Sequence, residues 1–420
     1  MSNLLKKSVP IGFLFVGLAL VVNEWTVARL ISADGSLEFP NLIILRVADA
    51  LALVVGGALL FFRLRVPVPV FLFNFVLFGF LLLCVEGGLV WLKSSAPNSA
   101  TWPVLGSFTR ELYNSDKELI QFRPECAQHD DSLGYTLRPG TCTFSGAEFS
   151  NEYRINHLGL RDDEESLEAP EIIVLGDSYA MGWGVDQEQT FAEILASKTG
   201  KKVLNAAISS YGTARQILSL ERLDTSRLET LVIQYCHNDY EENESFLRND
   251  HQMSAMRLRK YERLVKTHRD GRRYFLGKHL LTLARTRVRR LHRLLVDWIA
   301  AKIELPRKAA ATASDEAICF VDIVTRAQKN LNSARVLVLE LGPQDTQRSS
   351  FVDEVAQRQA NDPTGTERVQ ALDLTSTLGS EHFYPLDGHI NAAGHATVAE
   401  AILQALSSHE QAGENAGSTR

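Results

Sequence analysis

Three long apolar runs fill most of the first 93 residues, and they leave few folds open to the chain. "VPIGFLFVGLALVV" (9–22) follows Lys6 and Lys7. "LIILRVADALALVVGGALLFF" (42–62) is closed by Arg63 and Arg65, and "VPVPVFLFNFVLFGFLLLCVEGGLVWL" (66–92) by Trp91 and Lys93. A membrane-spanning helix needs about 20 apolar residues. The second and third runs meet that length, and the first does so if Asn23 and Glu24 lie at the interface. A basic start and a short apolar run also suit a signal peptide, but no small-residue cleavage site follows and two more runs do. Residues 1–93 therefore read as a membrane anchor of about three transmembrane helices. Buried helices of a soluble protein are the alternative, and so long a third run suits lipid better.

Basic residues set the orientation of such helices. Placing Lys6, Lys7, Arg63 and Arg65 in the cytoplasm gives an inside N-terminus and three crossings. The chain is then a multi-pass protein of the cell membrane, and everything after residue 93 is extracytoplasmic (periplasmic in a Gram-negative cell). Outside the cytoplasm Cys126 and Cys142 could form a disulfide. The five cysteines show no CxxC pair or zinc-ribbon spacing. Arg46, Asp49 and Glu86 fall inside the runs, where charges are costly and often functional. The bland reading lets Arg46 snorkel to the interface and pair with Asp49, one turn on.

From 94 to 165 turns and short strands alternate, an irregular β-containing lead-in. Then "EIIVLGD", "KKVLNAAI", "LETLVIQYCHND", "ARVLVLELG" and "VQALDLT" read as strands, separated by helical patterns such as "TFAEILASKTG" and closed by "NAAGHATVAEAILQAL". That alternation implies an α/β fold with a parallel sheet covered on both faces, preceded by the transmembrane helices. The sheet domain would occupy 166–244 and 331–407, with a basic helical insertion at 245–330 and a disordered tail at 408–420. Between 246 and 310 there are eighteen Lys plus Arg against five Asp plus Glu, although the whole chain has a net charge of −6. The insertion could lie on anionic lipid, roof the active site or grip an anionic polymer; a solvated helical hairpin is the plain reading. The overall balance carries no bulk nucleic-acid signal, so no nucleic-acid partner is expected.

In open parallel sheets ligands bind at the carboxyl ends of strands. There the chain places Ser178 in "VLGDSYAMGWGV", Asn238 in "CHND", and Asp387 and His389 in "DGHINAAGH". A serine needs a base, the base needs a carboxylate to orient it, and the oxyanion needs donors. With Gly388 turning the loop, Asp387 can curl back onto the imidazole. Each residue has a structural alternative. Ser178 could be a helix cap and Asn238 a turn residue. Asp177 would brace its turn, and His395 would be structural. His389 and His395, with His237 or Asp239, could hold a metal, but no spacing favours zinc, and no cofactor is expected.

These runs, with "NAAISSYGT" after the second strand, resemble the SGNH (GDSL-type) hydrolase superfamily over residues 170–406, the insertion set aside. The resemblance implies a three-layer, doubly wound, flavodoxin-like sheet. It implies Ser178 as nucleophile, His389 as base and Asp387 as its orienter, with Ser178, Ser210 and Asn238 forming the oxyanion hole. Two departures stand out. Ser210 occupies a usual glycine position, and the usual D-x-x-H is here D-x-H, which resembles the membrane-associated, polysaccharide-modifying branch. A membrane-anchored serine esterase acting on an ester of a cell-envelope glycan or lipid is the expected function. An O-acyltransferase of an extracytoplasmic polysaccharide, served by an acyl-donor membrane protein, is an alternative, as is a non-catalytic glycan-binding scaffold.

Overall fold

The computed structural model describes residues 6–417, apart from 38, 97, 103, 255, 303–310, 329–333, 344–348 and 362–367. Its contacts divide the chain into two units, 1–117 with 266–305 and 118–265 with 306–420.

In the first unit α1 (Val9–Val21) and α2 (Glu24–Ile31) meet at a bend of 51°. Asn23 makes that bend a new helix start, its side-chain oxygen accepting from the N–H groups of Trp25 and Thr26. The next helix, α3 (Phe39–Phe62), runs antiparallel to α1. Its partners descend from Leu64 and Leu59 at Ser8, through Leu60 and Gly56 at Gly12, to Arg46 at Glu24. Two glycines permit this approach: a Cβ on Gly12 would lie 2.7 Å from Leu60 Cγ, and one on Gly56 2.9 Å from Val16 Cγ2. Small residues at the contact are how helices pack closely in lipid. Lys6–Lys7 pair antiparallel with Arg65–Val66, so both basic clusters sit at one end of the bundle.

Asn41–Phe62 and α4 (Val68–Ser94) are each long and apolar enough to cross a membrane, and the bent pair α1 and α2 qualifies together as a third. Arg46 Nε donates to Glu24 Oε2 at 2.6 Å. The carboxylate of the neighbouring helix is its partner, rather than Asp49. Residues 105–116 form α5 (Leu105–Asp116), a helix where the sequence reads as irregular and β-containing. Leu105, Thr109 and Leu112 recur on one helical face, a pattern diluted by the polar residues between them. The unit is completed by α11 (Lys278–Lys302).

The second unit begins with two short antiparallel pairs, β1 (Ala127–Asp130) with β2 (Gly134–Leu137) and β3 (Gly140–Ser145) with β4 (Ser150–Ile155). A disulfide joins Cys126 to Cys142, with Cα atoms 5.4 Å apart. Five strands then form a parallel sheet: β5 (Ile172–Leu175), β6 (Val203–Asn205), β7 (Thr230–Tyr235), β8 (Arg335–Glu340) and β9 (Val369–Leu372). The order is β9-β8-β7-β5-β6, so the direction of growth reverses between β5 and β7.

Alternate strand residues enter two separate buried clusters, as the period of two requires. Ile172, Val174, Val232 and Leu337 join α7 (Phe191–Thr199) and α14 (Ala392–Gly417) through Phe191, Leu195, Val398 and Ile402. Ile173, Leu175, Ile233 and Val338 join α8 (Thr213–Leu220), α12 (Ala313–Gln328) and α13 (Ser349–Asn361) through Leu220, Phe320, Val324 and Phe351. Each such side chain contributes roughly 1.5–3 kcal/mol on full burial.

Two expectations change here. Of the proposed insertion, which includes the end of α9 (Asp239–Arg248) and all of α10 (Leu258–Gly271), α12 belongs to the core of the sheet, and only 266–305 leaves this unit. The tail expected to be disordered is helical as far as Gly417, where α14 ends.

Candidate active site

The turn after β5 is built so that little but the native residues fits. A Cβ on Gly176 would lie 2.5 Å from Ala180 Cβ and 2.6 Å from Gln234 Oε1. Gln234 accepts the N–H of Asp177 at 2.9 Å and donates to the Leu341 carbonyl at 3.2 Å, tying the turn to β7 and to the end of β8. Asp177 caps the short helix α6 (Ser178–Met181), its Oδ1 accepting from Tyr179 N–H at 2.9 Å. The capping role therefore falls to Asp177 and leaves the Ser178 hydroxyl for another partner. Gly182 ends α6 at φ 87°, where a Cβ would also strike Thr190 Cγ2 at 2.4 Å.

Ser178 Oγ lies 2.7 Å from His389 Nε2, both side chains buried. His389 Nδ1 bonds Asp387 Oδ1 across Gly388, which turns at φ 81°. The Glu148 carboxylate holds the loop from outside, accepting the N–H of Asp387 at 2.7 Å and of Leu386 at 3.1 Å. Two aromatic rings flank the imidazole. Trp183 stacks on it with centroids 4.8 Å apart and planes 13° apart, and Tyr179 lies tilted at 4.5 Å.

Ser210 follows β6 and Asn238 follows β7, the two strands that flank β5. Ser210 adopts φ 61°, the left-handed region that favours glycine, and its exposed hydroxyl accepts from Gln121 Nε2 at 3.0 Å. That backbone angle explains why a glycine would serve here, and the side chain is directed onto Gln121. Among the described residues, the main-chain N–H groups of Ser178 and Ser210 and the side-chain amide of Asn238 make no hydrogen bond. His389 thus contacts Ser178 by one ring nitrogen and Asp387 by the other, while Ser210 and Asn238 offer donors at adjoining strand ends.

Buried carboxyls surround this rim. Burial pushes Asp177 upward, and burial with repulsion from Asp177 drives Asp239 well above the ordinary carboxylate range. Asp239 accepts from Thr213 Oγ1 at 3.1 Å and Gln216 Nε2 at 3.4 Å. His395 is buried in α14, where Nδ1 accepts from Phe191 N–H at 3.2 Å and burial lowers its pKa to about 3. It is therefore neutral and structural. His237 faces Glu316, Nδ1 to Oε1 at 3.2 Å. Among the described residues no group of three or more His, Cys, Asp or Glu side chains is arranged to hold a metal ion.

Five supporting residues escape a reading of the sequence. Trp183 and Tyr179 were visible only as aromatics close after the serine. Glu148 stands 239 positions from Asp387, with no local signal. Arg161, fully buried, donates to the carbonyls of Met181 at 3.2 Å, Gly182 and Val185 (2.7 Å), and its guanidinium lies 3.6 Å over the Tyr153 ring. Asn205, from "NAAIS", donates to the Ala180 carbonyl at 3.2 Å.

No protein-family model and no curated protein matches the chain. Among solved structures it is similar to a lipolytic protein of the G-D-S-L family from Desulfitobacterium hafniense DCB-2 (12% identity, 55% of this chain and 96% of that one, TM-score 0.30). It is also similar to TesA (16%, 56% and 97%, TM-score 0.31). A third is a family two carbohydrate esterase from Clostridium thermocellum in complex with cellohexaose (14%, 58% and 65%, TM-score 0.36). Likeness this slight assigns no activity.

Proposed function

We propose that this chain is a membrane-anchored serine esterase of the SGNH type, working through an acyl-enzyme on Ser178. The observation that carries the reading is the contact of Ser178 Oγ with His389 Nε2 at 2.7 Å, with Asp387 on the opposite ring nitrogen. The imidazole takes the hydroxyl proton as Oγ attacks an ester carbonyl, and Asp387 holds the ring in the tautomer that leaves Nε2 free to accept. The carbonyl oxygen becomes an oxyanion, for which Ser178 N–H, Ser210 N–H and the Asn238 amide are the donors. Collapse expels the alcohol, which leaves with the proton from His389. Water, deprotonated by the same imidazole, then releases the acid and restores the hydroxyl.

The two clusters on alternate strand faces support a three-layer, doubly wound arrangement, with Ser178 and Asn238 at the switch point between β5 and β7. Pairing of Lys6–Lys7 with Arg65–Val66 supports an odd number of crossings: out through α1 and α2, back through α3, out again through α4. With the basic end in the cytoplasm, the sheet unit lies outside it. Its proposed substrate is an ester of a cell-envelope glycan or lipid.

Reaction of the full chain with a fluorophosphonate tests this reading. An adduct on Ser178 is expected, together with hydrolysis of a small acetyl ester that falls by up to about 10⁶-fold in Ser178→Ala. Undiminished turnover in that variant overturns it.

A further inference from the structure

We propose that residues 288–302 of α11 form an interfacial helix lying on the headgroups of anionic phospholipid, an inference that rests on reading α3 and α4 as membrane spans. The start of α11 is clasped to α4. The buried Glu86 carboxylate accepts the N–H of His279 at 3.2 Å and of Leu280 at 3.0 Å, with His279 Nδ1 at 3.0 Å. Glu86 precedes the end of α4 at Ser94 by about two turns, roughly 12 Å at 1.5 Å per residue. Lys278 pairs with Asp116 at 2.6 Å, and Asp116 also pairs with Lys93. The helix therefore departs from the level of the last turns of a span.

Arg287 pairs with Glu111 of α5 at 2.9 Å, and every side chain from Arg287 to Ile299 is exposed. At 100° per residue, Val288, Leu291, Leu294, Leu295, Trp298 and Ile299 share an arc of roughly 140°. Arg285, Arg289, Arg290 and Arg293 occupy the opposite side, with Val296 the apolar exception. Val288 is 65%, Leu291 68% and Trp298 61% exposed. An apolar stripe this open is out of place in water. A bilayer edge presents acyl chains and phosphates in adjoining layers, matching both sides of the helix at the depth where Glu86 holds it. Tryptophan favours the same zone.

Hydrogen exchange on the full chain tests this, one copy per nanodisc, in phosphatidylcholine discs and in discs that also contain phosphatidylglycerol. Amides of 288–302 are expected to exchange at least about tenfold more slowly in the anionic discs. The combined variant Arg285→Gln, Arg289→Gln, Arg290→Gln and Arg293→Gln is expected to lose that difference. Equal exchange in both lipids overturns the proposal, as does protection that appears only with two copies per disc, which would mark self-association. The amides of 68–94 report the spans in the same sample. Rapid exchange there removes the premise, whereas slow exchange there with unprotected 288–302 rejects the interfacial helix alone.

Discussion

The imidazole of His389 is closely held: Asp387 at one nitrogen, Ser178 at the other, the Trp183 ring stacked on it and the Tyr179 ring tilted beside it. Such confinement fixes geometry, and a misplacement of about 1 Å can cost on the order of a hundredfold in rate. Trp183→Ala is therefore expected to lower kcat by roughly ten- to a hundredfold with KM little changed, while Trp183→Phe retains most activity. An unaltered kcat in the alanine variant would show the stack to be incidental. Asp162 gives a second test. Its carboxylate accepts the N–H of Asn205 at 2.6 Å, and burial raises its pKa from 3.8 to about 7. A carboxyl raised on folding stabilises most when protonated, and that contribution is lost as pH rises from about 4 to about 7, at up to about 1.4 kcal/mol per unit. The difference in Tm between the wild type and Asp162→Asn should thus move in the variant's favour over that interval and level off above it. A pH-independent difference in thermal melts would contradict this.

Glu86 shows how an element is positioned by one side chain. Main-chain N–H groups at the start of α11 lack helical partners, and a carboxylate there also meets the positive end of the helix dipole. Glu86→Leu leaves those donors buried without an acceptor, at about 1–3 kcal/mol. Faster amide exchange in 278–287 is the expected result, with unchanged rates in the strands of the sheet. This clasp could not be read from the sequence, which showed only a charge within an apolar run. The sheet was far more legible. Its strands are apolar runs whose endings supplied Ser178 and Asn238, while Asp387 and His389 stood in the turn just before the closing helix α14. The lead-in was legible only as β-containing, because β1 to β4 are short and are tied in by distant contacts such as that of Tyr153, whose hydroxyl accepts from Gly184 N–H at 3.0 Å. Ser210 was readable as a departure from glycine, but only its φ of 61° gives the reason.

Taken whole, the chain joins an apolar unit to a sheet unit and stiffens the latter with a covalent bond. Closure of a loop with a sequence separation of 16 by Cys126 and Cys142 is worth roughly 3 kcal/mol on chain-entropy grounds. Unreduced mass spectrometry of the native chain should find the peptide pair lighter by two hydrogens, and reduction should lower the Tm of this unit. Two free thiols in protein taken directly from cells would argue against an extracytoplasmic sheet unit. The first unit is discontinuous along the chain, since Glu86 waits for partners 193 positions later. At about 5–20 residues per second a ribosome needs roughly 10–40 s to cover that interval. During synthesis Glu86 thus emerges well before the segment that shelters it has been made, so assembly of the first unit finishes only after most of the chain has left the translation tunnel.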